Sequence, residues 1–285
     1  MNLLRSIPRL LAITITSVAL TLPAALAADA EDKALTDAVS GSWRTPANVQ
    51  RDVWRKPVDA LTCWGLKPGM AILELSPGGG WWTEILAPYA RLTKGSYAAT
   101  AADLNNPDLS QAARDARAQF EKRFSDQSVY GPITYVNFGP KSQGLGAPNS
   151  VYFVLNGRNF HNWMANGMLD KVMAESFAVL TSGGVLAIEE HRNAPGTQQD
   201  PKAPSGYVTE AYVIAAAEKA GFKLAARSDL YANPKDDRDH TFGVWTLPPV
   251  RRTAPQGQPA DPNFDSAPYD AIGESDRMAL RFVKP

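Results

Sequence analysis

Met70-Ala71-Ile72-Leu73-Glu74-Leu75 is a short apolar run that breaks into Ser76-Pro77-Gly78-Gly79-Gly80, and a helically spaced stretch, Trp81 to Ala90, follows at once. A strand that turns on glycines directly into a helix opens a βαβ unit. This feature constrains the chain more than any other. Parallel strands need crossover helices, and those helices need sheet faces to pack on. The rest of the chain agrees: strands are expected at 96–100, 133–138, 151–156, 185–190 and 222–229, with helices at 109–124, 163–180 and 209–220 between them. Glu31–Val39 and Asn48–Leu66 read as helices ahead of the first strand. Residues 232–275, rich in Pro, Asp and Asn, read as a loop insert, and Arg277–Val283 alternates like a strand with one wet face. The expected fold is α/β: a Rossmann-like, doubly wound, mostly parallel seven-stranded sheet. Its last strand is antiparallel, because a loop insert rather than a helix leads to it. The expected division is a leader at 1–27, an N-terminal helical cap at 28–69 and one domain at 70–285.

Composition removes several function classes. Lys+Arg and Asp+Glu are equal at 29 each, so there is no basic footprint for nucleic acid. One cysteine excludes an internal disulfide and a cysteine-cluster zinc site, and Cys63, set in an apolar stretch, reads as a buried thiol. Arg5 and Arg9, the apolar run Leu10–Leu22 and Ala25-Leu26-Ala27 have the form of a cleaved secretory signal. An uncleaved anchor fits less well, since Pro23 interrupts the run and it falls short of the ~20 apolar residues that a span needs. The expected address is periplasmic or secreted, with no stable membrane insertion after cleavage.

The glycines of Glu74–Gly80 let the backbone turn tightly and approach a nucleoside or amino-acid ligand, and helix N–H groups beyond the turn suit a carboxylate or phosphate. A ligand-free glycine turn is the competing reading, but the position after the first strand of an α/β sheet favours a nucleotide-type ligand. This segment resembles motif I of class I S-adenosylmethionine-dependent methyltransferases, written E/D-x-G-x-G-x-G. More specifically, LELSPGGGWWTEILAPY (73–89), RNFHNWM (158–164), GGVLAIEEHR (183–192), GYVTEAYVIAAAEKAGF (206–222), NPKDDRDH (233–240), GVWTLPP (243–249) and AIGESDRMALRFVKP (271–285) resemble a family of exported predicted methyltransferases. The resemblance implies S-adenosylmethionine as cofactor, with Gly78 and Gly80 under its methionine part, Ser76 in the same turn and Glu74 orienting the site. Ser76 stands where the motif has its first glycine. Asp103 is the first acid after the second strand, where such enzymes place a carboxylate on the ribose; a solvent-facing loop acid is the alternative.

The three histidines, His161, His191 and His240, each fall beyond the C-terminal end of an expected strand, where open α/β sheets bind ligands. Three readings stay open. His161 or His191 acts as a general base positioned by Glu190, with Arg158 holding an anionic substrate and Trp163 forming an apolar wall. The three histidines and a carboxylate hold a metal, although no local ligand spacing supports this. Or the polar residues simply tie loops together. Glu189 and Glu190 alternate on the strand, so one of them is expected to reach the crevice. Arg51 and Arg55 lie on the preceding helix, facing either ligand or solvent. The expected function is methyl transfer to a small acceptor. The alternative is an exported, non-catalytic module on the same fold that binds a small ligand or a metal.

Overall fold

In a computed structural model, which describes residues 32–285, the strand–turn–helix unit forms as β1 (Ala71–Leu75) and, later, α5 (Thr83–Leu92). The signal segment 1–27 lies outside the described residues. Ahead of β1 come α1 (Lys33–Val39), α2 (Pro46–Val49), α3 (Asp52–Arg55) and α4 (Pro57–Trp64). The single helix expected over 48–66 is therefore three short ones. Pro57 sterically disfavours helix at the residue before it, and Lys56 takes a left-handed φ of 37°. The break re-aims α3 relative to α4, and two arginines of the site, Arg51 at the N-cap of α3 and Arg55 at its end, move with it.

The chain then runs β2 (Ser96–Ala102), α6 (Gln111–Arg123), α7 (Gln127–Tyr130), β3 (Ile133–Phe138), β4 (Val151–Gly157), α8 (Phe160–Ala165), α9 (Leu169–Val179), β5 (Leu180–His191), α10 (Glu210–Lys219), β6 (Lys223–Ser228), α11 (Ala267–Ile272) and β7 (Arg277–Val283). All seven expected strands are present. The expected helix over 163–180 is split by Gly167, whose φ is 66° and whose neighbour Met168 donates back to Trp163 O at 2.8 Å. β5 begins at Leu180, ahead of the Ser182-Gly183-Gly184 turn signal. The insert is not wholly loop: it holds α11 and a 3₁₀ turn, Gly243–Thr246. Cys63 is half-buried rather than buried.

The sheet order is β3-β2-β1-β4-β5-β7-β6. β1 pairs in parallel with β2 and β4, β2 with β3, and β4 with β5, whereas β7 runs antiparallel between β5 and β6. The two-residue period sorts β1 across two cores. Ile72 packs with Trp64, Trp82, Leu86 and Tyr89 on one face, and Leu73 and Leu75 pack with Phe160, Val172 and Met173 on the other. The cap is pinned to α5 through buried Glu84. Trp43 Nε1 donates to its carbonyl at 2.9 Å, and its carboxylate accepts from Thr45 Oγ1 at 2.5 Å and from Arg123. Among the described residues no helix is long and apolar enough to cross a membrane.

The topology also decides where a ligand can go. The chain winds outward from β1 to β3, then returns to place β4 on the other flank of β1. Their carboxyl ends, paired at Leu75 and Asn156, are thus the point where strand order reverses, and the crevice opens there.

Candidate functional site

Two cavities meet at the glycine turn. One, of about 290 Å³, is lined by turn residues Ser76–Gly79, by Arg158, Asn159 and His161 beyond β4, by His191, by Arg51 ahead of α3 and Arg55 in it, and by Trp245 and Ser275. The other, of about 400 Å³, is largely apolar, with Ala101 and Ala102 of β2, Ala113 and Phe120 of α6, and Phe138 of β3 in its wall. Ser76, Pro77, Gly78 and Asn159 belong to both. The glycine turn is therefore the partition between a flat apolar slot and a polar chamber.

The turn explains its own residues. Ser76 takes φ 49°, the left-handed conformation that glycine adopts without strain. It is held there by donating its N–H to Thr100 Oγ1 at 2.7 Å and accepting from Asn159 Nδ2 at 3.0 Å. Gly78 has φ 56°, and a Cβ on it would meet nothing within 4 Å. Its open side is the space shared by the two cavities. Gly80 differs: a Cβ there would stand 2.5 Å from Phe124 Cζ, so this glycine lets the end of α6 pack on the turn, and it lines neither cavity. Asp103 is buried, with Oδ1 accepting the N–H of Asn105 at 3.0 Å, and it too lies outside both linings.

Glu74 lines the polar chamber from β1 and accepts from Thr83 Oγ1 at 2.9 Å and from Tyr97 OH. Burial raises its pKa to about 7, against the hydrogen bonds from Tyr97 and Thr83, which lower it. The folded chain thus keeps this proton over a range where the unfolded chain has released it. Stability is expected to fall as pH rises from about 4.5 to about 7, by about 3 kcal/mol at most from this group. Urea unfolding at several pH values should show that slope in the wild type and lose it in Glu74→Gln; an unchanged slope would place the proton elsewhere.

His161 and His191 come together as expected, with ring centroids 5.4 Å apart. Glu190 organises them. Its Oε1 lies 2.9 Å from His161 Nδ1 and accepts the His191 N–H at 2.7 Å, and its Oε2 accepts the His161 N–H at 3.1 Å. An ionised carboxylate only accepts, so it holds the proton on Nδ1 and leaves Nε2 of His161 as the free acceptor. His191 Nδ1 lies 2.5 Å from Ser275 Oγ. Burial first, and then the charges of Arg158, Arg277 and Arg55, holds His191 well below its usual pKa, so it is neutral at pH 7.

Other expected residues go elsewhere. His240 sits with Asp236 (Nε2 to Oδ1 2.8 Å) and Tyr207, in a cluster that ties the insert to the sheet. Among the described residues, ligand-type atoms gather within 4.8 Å in two separate groups, His161/Glu190/His191 and Asp236/Asp237/His240, so the three histidines do not form one ligand set. Trp163 is core, packed among Leu169, Val172 and Met173, and is not a wall of the chamber. The wall is Trp245, whose ring meets His161 at 5.7 Å. Neither Glu189 nor Glu190 lines the chamber; both are fully buried behind it. Trp245, Glu274 and Ser275 escaped sequence reading because they arrive from the insert and its end. Their one signal is membership of the stretches that carry the resemblance, Trp245 in 243–249 and Glu274 and Ser275 in 271–285.

Glu274 gathers Arg51, Arg55 and Arg277 around its carboxylate, at 2.8, 3.3 and 2.6 Å. Burial alone would raise its pKa, but the charges of Arg277, Arg55, Arg158 and Arg51 outweigh burial and hold it at about 2.

The sheet is the one expected from the sequence, doubly wound and mostly parallel with a single antiparallel strand at β7. The fold is Rossmann-like. No family model and no curated protein sequence matches the chain. Solved structures do. A SAM-dependent methyltransferase from Aquifex aeolicus is 18% identical, with 63% of this chain and 86% of that one covered and a TM-score of 0.46. An S-adenosylmethionine-dependent methyltransferase from Mesorhizobium loti is 17% identical, with 80% and 97% covered and a TM-score of 0.44. The cyclase SpnF is 14% identical, with 81% and 82% covered and a TM-score of 0.49. The strand order, rather than these distant likenesses, carries the fold assignment, and a fold does not name a reaction.

Proposed function

We propose that the chain is an S-adenosylmethionine-dependent methyltransferase acting on a small acceptor. The observation that carries this reading is the pair of cavities joined at Gly78. A cofactor with a flat aromatic base at one end and a charged amino-acid tail at the other suits an apolar slot and a polar chamber separated by a bare backbone turn. Ala101, Ala102, Phe138 and Phe120 would hold the base, and the Gly78–Gly79 backbone would carry the chain past the turn. When bound, the cofactor supplies an electrophilic methyl group on a sulfonium. The protein supplies alignment and exclusion of water under Trp245, with His161, positioned by Glu190, taking a proton at Nε2 from an acceptor that must lose one.

The slot gives a direct test. Ala113→Trp, on the half-buried face of α6, is expected to fill it and weaken S-adenosylhomocysteine binding more than about tenfold with little change in thermal stability. Unchanged affinity would remove the base from the slot.

The second reading, a non-catalytic module that binds a small ligand, is favoured by Asp103. With Oδ1 accepting from its own loop and the side chain outside both linings, no acid after β2 reaches a ribose. The exported address is part of the proposal. It predicts that protein recovered outside the cytoplasm begins at Ala28, which intact-mass measurement checks.

A further inference from the structure

The polar chamber carries more positive charge than its own acids balance. Arg51, Arg55 and Arg158 line it and Arg277 lies behind them, while Glu189 and Glu274 are the carboxylates in contact with this group. Four guanidinium groups against two carboxylates leave two positive charges over. Glu190, ionised beside two neutral histidines, returns one negative charge, so one positive charge stays over. A network that only ties loops together closes its charges, because unpaired buried charge is costly. This one is left open toward the chamber.

The open valences point the same way. Arg55 is 1% exposed, yet only its Nε reaches Glu274, and both terminal nitrogens lack a hydrogen-bond partner. Its guanidinium lies over the Trp81 ring at 4.7 Å, which supports the face of the group and leaves its N–H edge unanswered. Trp82 Nε1, also in the lining, has no partner. Every buried side-chain atom without a hydrogen-bond partner in this lining is a nitrogen donor. Arg158 stands in a left-handed backbone conformation, φ 57°, fixed by its N–H on Glu189 O at 2.7 Å, and its side chain pairs loosely, 3.7 Å from Glu189 and 3.9 Å from Glu274. Strain at a bulky residue marks a position that the surrounding structure dictates. Arg55 is held below its ordinary pKa by burial and then by Arg158, the direction that uncompensated charge gives and an anion would reverse.

We infer that Arg51, Arg55 and Arg158 form a subsite for an oxyanion, and that this is the group by which the acceptor is recognised. Planar guanidinium forks match phosphate and carboxylate oxygens, and the surplus positive charge with the unanswered N–H edge of Arg55 suits an anion such as a phosphate monoester or a dicarboxylate. Trp245, Pro248, Pro249 and Val250 give the same chamber an apolar side for the organic body of that molecule. The role as acceptor site rests on the methyltransferase reading; the oxyanion site itself does not.

The test is calorimetric titration of residues 28–285 with inorganic phosphate, and separately with malonate, in low-chloride buffer, each without and with saturating S-adenosylhomocysteine. At least one anion is expected to bind; phosphate alone points to a phosphate monoester and malonate alone to a dicarboxylate. Arg158→Gln, at a partly exposed position that can lose its charge without unfolding, is expected to weaken binding by about tenfold or more, and Arg55→Met likewise if it folds. S-adenosylhomocysteine should leave the anion's affinity nearly unchanged. Anion binding with no S-adenosylhomocysteine binding upholds the subsite and removes its role in methyl transfer. Failure of both anions to bind, full affinity in Arg158→Gln, or displacement of the anion by S-adenosylhomocysteine would overturn the proposal, the last because the arginines would then serve the cofactor's own carboxylate.

Discussion

Arg277→Met is expected to destabilise the chain by about 3–5 kcal/mol, the range for breaking a buried ion pair by removing one partner. Arg277 is 1% exposed on β7, and its Nη1 donates to Glu189 at 2.9 Å and to Glu274 at 2.6 Å. Its Nη2 donates to the Trp54 carbonyl at 2.9 Å, which ties the sheet to α3 of the cap. Methionine fills most of the volume and answers none of these groups, so Glu189 is left buried with only the distant Arg158. Urea unfolding at neutral pH reads the loss. A change under about 1 kcal/mol would mean that this charge network is not what fastens the cap.

The two outer glycines of the turn should fail in different ways. Gly78→Val is expected to fold and to lose S-adenosylhomocysteine binding by more than about a hundredfold, because the new side chain projects into the space that joins the cavities. Its cost in stability is that of a β-branched residue at φ 56°, about 1–2 kcal/mol. Gly80→Ala is expected to keep whatever affinity the folded protein has and to lose about 2–4 kcal/mol, since its Cβ meets the Phe124 ring at a left-handed position. Thermal unfolding and calorimetry on the two variants separate these outcomes. Equal binding losses would show that the turn acts as one unit rather than as a passage beside a packing contact.

Those contrasts show what was legible in the sequence. Strands carry their signal in adjacent residues, so the apolar run at 151–156, the glycines after Leu75 and the pattern at 277–283 located the sheet, although β7, enclosed between β5 and β6, is buried on both faces rather than wet on one. Residues at strand ends inherit that certainty. Ser76, Gly78, Arg158, His161 and His191 meet at one chamber because β1, β4 and β5 are neighbours. The misses lie where placement depends on distant packing. Nothing near Trp245, Glu274 or Ser275 says that the insert folds back over the crevice, and nothing near His240 says that it turns to Asp236 and Tyr207 instead. Arg55 reads as one end of an ordinary charged helix face until Lys56 and Pro57 break that helix and bury it. Trp163 has helical spacing on both accounts, and only the turn at Gly167 shows which face it gives to the core.

The central claim is that the joined cavities at Gly78 hold S-adenosylmethionine. Calorimetric titration of residues 28–285 with S-adenosylhomocysteine tests it most directly. Saturable one-to-one binding in the micromolar range is expected. Absence of heat at millimolar ligand, with the protein shown folded by circular dichroism, would contradict it and leave a Rossmann-like fold that binds a different molecule.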